Sequence, residues 1–173
     1  MTGAWRNRSI GLALAIAVLV LVLDQWVKAL VAGPWALREV RQIVLMPFFN
    51  LTWAQNFGVS FGMFEASSPG MRWGLVAVTG LIALAAFVWL LRERKLWDIA
   101  PLALWVGGGI GNICDRVRLG YVVDYADFHI GGSRPFQIFN LADAAITLGV
   151  LILVARALWT RRGDGVARRS ALA

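Results

Sequence analysis

The chain has one cysteine and one histidine in 173 residues. A lone Cys114 excludes an internal disulfide and any cysteine-based zinc site, and a lone His129 excludes a histidine-rich centre, so no metal and no cofactor is expected. Charge is scarce as well. Charged residues make up 16% of the sequence and hydrophobic residues 59%, with a mean hydropathy of +0.67. That is too apolar for an ordinary soluble domain and points to the membrane class. The net charge of +7 does not indicate nucleic acid, because the basic residues cluster at the ends of apolar segments, where membrane orientation requires them.

What the sequence has is long uncharged runs. The length suits one membrane domain, residues 1–173, with four spans of roughly 20 residues each. The first is expected over about 9–31. It resembles the apolar core of a signal peptide, but Asp24-Gln25-Trp26-Val27-Lys28 follows without a small-residue cleavage site, so a retained span is preferred. Asp24 and Lys28, four apart, share a helix face and can pair. The second span is expected over about 73–91, with Trp73 and Trp89 about 24 Å apart as interfacial anchors. The third covers about 98–113, with Pro101 in its first turn and a Gly107-to-Gly111 spacing that admits a close neighbouring helix. The fourth covers about 139–159.

Two extramembrane segments remain, 33–72 and 114–138. Within the first, Ile43 to Phe64 alternates loosely and is punctuated by Asn and Gly, which predicts short strands in a small sheet on the bilayer surface. In NFGVSFGMF the glycines read as turn chemistry. The second segment carries Asp124, Asp127, His129 and Arg134, with His129 expected to be solvated in a polar loop. The tail over 161–173 is basic, rich in small residues and expected to be disordered. The tight basic turn at 92–95 is the clearest cytoplasmic marker. With four spans it puts both termini in the cytoplasm and Asp124 and Asp143 at the outer face.

Asp124 and Asp143 are carboxylates bracketed by apolar sequence, and each needs a partner or a task there. Asp143 has a plain structural account: it lies three residues after a candidate N-cap, Asn140, and complements the helix dipole. As a pair, two carboxylates held close share a proton. The ionised one can then take a proton from water while the neutral one hydrogen-bonds a carbonyl. On the residues alone, an aspartic protease, a transporter with a carboxylate relay and a non-enzymatic assembly factor all stay open. The segment-end positions count against the transporter.

The motifs narrow this. Asp24-Gln25-x-x-Lys28, Asn56-Phe57-Gly58 with Phe61-Gly62, Gly108-Gly109-x-Gly111-Asn112-x-x-Asp115-Arg116, Val122-Val123-Asp124-Tyr125 and Phe139-Asn140-x-Ala142-Asp143 follow in that order. Together they resemble bacterial signal peptidase II, the prolipoprotein signal peptidase, over nearly the whole chain. The resemblance implies an α-helical polytopic protein of the bacterial inner membrane, with four transmembrane helices and a small extracytoplasmic β-sheet. It implies an aspartic endopeptidase in which Asp124 and Asp143 are catalytic. Asn56, Asn112, Arg116 and Asn140 would line the substrate site, and Asp24, Lys28 and Asp115 would support it. The implied substrate is a diacylglyceryl prolipoprotein cut just before its lipidated cysteine, with membrane lipid as surroundings and no obligate protein partner. Ala144 and Tyr125 depart from the family's common Ser and Phe, and neither departure removes a group the dyad needs.

Overall fold

The computed structural model describes residues 3–58, 69–93, 95–131 and 133–170. Its elements in order are α1 (Gly3–Ala32), α2 (Leu37–Val40), β1 (Gln42–Met46), β2 (Phe49–Asn56), α3 (Pro69–Arg92), α4 (Leu96–Leu119), β3 (Val122–Phe128) and α5 (Leu141–Ser170). Of the quoted motifs, Phe61 and Gly62 lie outside the described residues, as does Arg94 of the basic turn.

Among the described residues, three helices are long and apolar enough to cross a membrane: Arg8–Ala32, Gly70–Arg92 and Leu141–Trp159. Each satisfies its own backbone polar groups, which hydrocarbon demands, and each turns Leu, Val and Trp side chains outward. The chain is therefore an integral membrane protein. α4, expected as a further span, does not reach the same apolarity. The reason is its position: it packs against α1, α3 and α5, so its surroundings are largely protein and its sequence can carry glycines and polar side chains.

Those glycines are contact points. A Cβ on Gly107 would meet the Ala17 carbonyl oxygen of α1 at 2.5 Å, and one on Gly108 would run into the Ala142 carbonyl oxygen of α5. One on Gly111 would meet Asp24 Oδ2 at 2.6 Å, while one on Gly109 would make an ordinary 3.5 Å contact with Ala83 of α3. Gly107 and Gly111 both meet α1, as the GxxxG spacing anticipates, while Gly108 between them admits α5. The helical core is correspondingly fine-grained: Ala13, Ala17, Ala86, Leu90, Ile99, Leu102, Ala103 and Val106.

The sheet is antiparallel in the order β1-β2-β3. β2 pairs with β3 so that Asn50 faces Asp127, Ala54 faces Asp124 and Asn56 faces Val122, with a register irregularity between Leu51 and Ala54. Val31, Leu37, Leu51, Val123, Tyr125 and Ala126 form a second core that ties the sheet to the end of α1.

Several expectations change. The segment 114–138 is not all loop, because α4 continues to Leu119 and β3 follows at once. Gly120 makes the turn between them, at φ +90° with its N–H on the Arg116 carbonyl, a left-handed C-cap suited to glycine. α4 starts at Leu96, so Pro101 lies inside the helix rather than in its first turn. α5 runs to Ser170, through the tail read as disordered; its Ala and Arg content favours helix.

Candidate active site

The first turn of α5 is where the site is built. A helix start leaves its leading N–H groups without intrahelical partners, and here three different elements supply them. The Leu141 N–H goes to the Tyr125 hydroxyl of β3 at 3.2 Å. The Ala142 N–H goes to Asp24 Oδ1 of α1 at 3.0 Å. The Asp143 N–H goes to Asn140 Oδ1 at 2.8 Å, and Asp143 Oδ2 returns the bond by accepting the Asn140 N–H at 3.2 Å. The reciprocal cap anticipated for Asn140 and Asp143 is complete. The Tyr125 departure also has a use, since phenylalanine could not accept the Leu141 N–H.

Asn140 is fully buried and its other amide atom joins the second acid. Its Nδ2 donates to Asp124 Oδ1 at 2.7 Å and lies 3.2 Å from Asn112 Oδ1. Asn112 Nδ2 donates to Asp143 Oδ1 at 2.7 Å. Asn56, at the end of β2, donates to Asp124 Oδ2 at 3.1 Å. The two carboxylates, from β3 and α5, are thus held by three asparagines from β2, α4 and the turn before α5. Asp124 is 2% exposed, while Asp143 is only partly buried, so the approach to the pair is from the Asp143 side.

Burial pushes the Asp124 carboxyl up from 3.8 to about 7, with the negative charge of Asp143 as the next cause. The amide donors of Asn56 and Asn140 and the charge of Lys28 oppose this without cancelling it. Desolvation and a like charge both favour the protonated form. Near neutral pH the pair can therefore hold a proton between its members.

Asp24, Lys28 and Asp115 form a buried ion cluster beneath the pair. Lys28 Nζ lies 2.8 Å from Asp24 Oδ2 and 2.8 Å from Asp115 Oδ2. The same ammonium donates to Asn112 Oδ1 at 3.1 Å. That bond orients the Asn112 amide so that its NH2 faces Asp143. Asp115 Oδ2 also accepts the Val123 N–H at 3.1 Å, placing the start of β3 one residue before Asp124. Arg116 reaches another way: its Nη2 donates to the Gly58 carbonyl at 2.7 Å, and the Gly58 N–H goes to Asn56 Oδ1 at 3.1 Å. Asn56 therefore serves both a turn and Asp124. Among the described residues, Arg116 Nε is buried without a partner.

Gln25 and Arg72 were given no role by the sequence, yet both hold the site. Gln25 Nε2 donates to Asp115 Oδ1 at 2.9 Å, and its Oε1 accepts from Arg118 at 3.2 Å. Arg72 donates to the Arg116 and Val117 carbonyls at 2.7 Å each, closing the C-terminus of α4. Gln25 was legible as a motif member next to Asp24. Arg72 carried no local signal, because its target is a distant helix end. Among the described residues, no group of three or more His, Cys, Asp or Glu could hold a metal ion.

Comparison with known proteins places the chain in a family. The family model described as signal peptidase (SPase) II matches residues 16–159. A lipoprotein signal peptidase of Sphingopyxis alaskensis is 57% identical over 137 residues, 79% of each chain. One of Rhizorhabdus wittichii is 54% identical over 140 residues, 81% of each chain. A bacterial membrane enzyme solved in meso at 1.9 Å resolution superposes with a TM-score of 0.72 at 30% identity, covering 86% of this chain and 93% of that one. Another, solved in meso at 2.3 Å, gives a TM-score of 0.75 at 28% identity over 86% of this chain and 88% of that one.

Proposed function

The chain belongs to the signal peptidase II family, a family of proteases, and on that premise we propose that Asp124 and Asp143 are its catalytic dyad. The observation that carries this is Asn140, whose one side chain caps Asp143 and donates to Asp124. One carboxylate takes a proton from water as the water oxygen bonds to the scissile carbonyl carbon. The protonated partner hydrogen-bonds the carbonyl oxygen. Collapse of the tetrahedral species breaks the C–N bond, with a proton delivered to the leaving nitrogen. Asn112 and Asn140 hold the acids, and Asn56 with Arg116 holds the strand end and the Gly58 turn against which an extended peptide can lie.

The substrate is a diacylglyceryl prolipoprotein, cut just before its lipidated cysteine. The site lies where α1, α4 and α5 meet the sheet, at the boundary between apolar spans and polar chain, which is where such a bond would sit. α4 is the fourth span. Its 24 residues extend about 36 Å, enough for a hydrocarbon core of about 30 Å, with its charges near its two ends. The whole chain is then one domain in the bacterial inner membrane, both termini cytoplasmic, the acids at the outer face and lipid against the outward side chains. No obligate protein partner and no cofactor takes part.

The test uses purified protein with a diacylglyceryl precursor and its unlipidated twin. The lipidated precursor alone should be shortened. Asp124→Asn and Asp143→Asn should each lose about 10²-fold or more in rate, the scale of general acid–base catalysis, while remaining folded. Cleavage by either variant at the wild-type rate would overturn the dyad.

A further inference from the structure

Beyond the end of β3, roughly 17 Å along the strand from Asp124, a polar cavity open to the outside lies against the sheet. Its volume is about 230 Å³ and it is lined by Asn50, His129, Gly131 and Arg134. Among the described residues, two polar atoms of this lining are buried without a partner, Asn50 Oδ1 and His129 Nε2, as is Oδ1 of Asp127, which lies outside the lining. Asn50 is 7% exposed and Asp127 0%, and the two face each other across the β2–β3 ladder. The other Asp127 oxygen is fully engaged, accepting from the Thr52 hydroxyl at 2.8 Å and from Arg134 Nη2 at 3.0 Å. His129 is therefore not the solvated loop residue its sequence suggests.

Buried polar groups are ordinarily paired, and two left open on one cavity wall call for a ligand with hydrogen-bonding groups. A metal ion is disfavoured, because the Arg134 guanidinium stands in the wall and already neutralises Asp127. A single water is too small, taking roughly 30 Å³ in the liquid. The rim narrows the choice further. Phe128, next to His129 in the chain, meets Phe48 in a T-shape at 6.0 Å and Phe136 at a tilt at 6.2 Å, and Phe48, Ile130 and Phe136 are exposed, as are Val44, Leu45 and Met46 of β1. An exposed apolar patch of this kind marks an interaction surface, and in a chain with membrane-crossing helices the neighbouring apolar phase is lipid.

We propose that this cavity binds the headgroup of a membrane phospholipid. The phosphate sits on the exposed part of the Arg134 guanidinium. The ammonium of the headgroup alcohol donates to Asn50 Oδ1 and the His129 ring nitrogen. The acyl chains run over Phe48, Ile130 and Phe136. The site pins the far end of the sheet to the bilayer and so keeps the Asp124 end in place over the helices. It rests on the membrane character of the chain, not on the dyad.

His129 is the only histidine, so histidine-specific 15N labelling of the full chain in a phosphate-free maltoside detergent gives one imidazole to follow by NMR. Titration with dihexanoyl phosphatidylethanolamine should shift that signal saturably. Inorganic phosphate and glycerophosphoethanolamine, which lack the chains, should bind at least about tenfold more weakly. Arg134→Gln, which keeps an amide donor for Asp127 and whose folding is checked by its thermal melt, should weaken the phospholipid by about tenfold or more, and Asn50→Leu should abolish saturation. The proposal is overturned if the wild-type signal shows no saturable shift with the phospholipid. It is equally overturned if Arg134→Gln binds as tightly as wild type, if inorganic phosphate binds as tightly as the phospholipid, or if only an unlipidated peptide moves the signal. None of these readouts depends on proteolysis, so a failed dyad leaves them unaffected.

Discussion

Replacing Asp124 by asparagine should make the protein inactive and, at alkaline pH, more stable. The carboxyl is raised from 3.8 to about 7 by burial and by Asp143. A folded-state pKa above the unfolded value means the folded chain binds the proton more tightly. The stabilisation is therefore fully present below 3.8 and is lost as pH rises through about 7. At roughly 1.4 kcal/mol per unit, the ionised side chain costs the fold on the order of 4 kcal/mol at pH 8. Asparagine removes that charge but meets two amide donors, Asn56 and Asn140, with only one oxygen. The unmet donor costs about 1–3 kcal/mol. The net gain is about 2 kcal/mol, roughly 4–8 °C in Tm for a chain of this size. Thermal unfolding in detergent, followed by tryptophan fluorescence at pH 5 and pH 8, measures it. Asp124→Asn should melt above wild type at pH 8, and its advantage should vanish or reverse at pH 5, where Asp124 is protonated in the folded wild type. A variant less stable than wild type at pH 8, or a difference identical at the two pH values, would refute the desolvated, like-charge account of the site.

Three further outcomes follow from the packing and the hydrogen bonds. Lys28→Met leaves Asp24 and Asp115 buried without their shared cation and should destabilise by about 3–5 kcal/mol, read from the same melts. Gly108→Ala, whose Cβ would run into the Ala142 carbonyl, should sharply lower the yield of folded protein in membranes, whereas Gly109→Ala, with only a 3.5 Å contact to Ala83, should accumulate normally. Asn140→Ser keeps an N-cap acceptor and should melt about 1 kcal/mol above Asn140→Ala. Neither variant can donate an amide to Asp124, so both should lose cleavage of the lipidated precursor to a similar extent; full activity in Asn140→Ser would show that the cap alone matters.

The membrane class, the helices around the apolar runs and the pairing of Asp24 with Lys28 were legible because each is local: hydropathy over a window, or a four-residue spacing on one helix face. Asn140 and Asp143 were legible as a cap for the same reason. β3 was not. Val122 to Phe128 carries two aspartates and lies buried on both faces, so it lacks the apolar–polar alternation that announces a half-buried strand. Only its pairing with β2 makes it a strand. The surroundings of α4 were not legible either. Its glycines and charged end lower its apolarity, and only the fold shows that it packs against α1, α3 and α5.

By itself the sequence determined the solvent this protein lives in, the helices that meet it and the residue types available for chemistry, since lipid selects on composition and helices form from near neighbours. The tertiary structure alone decided how those residues are assembled. Asp24 of α1, Tyr125 of β3 and Asn140 each take one N–H from the same helix turn, and Lys28 sets the amide of Asn112 toward Asp143. These partners lie up to 118 residues apart in the chain, and no spacing rule reaches that far. A buried hydrogen-bonding group must find its partner in space, and where that partner comes from in the chain is settled only by how the helices and the sheet close around it.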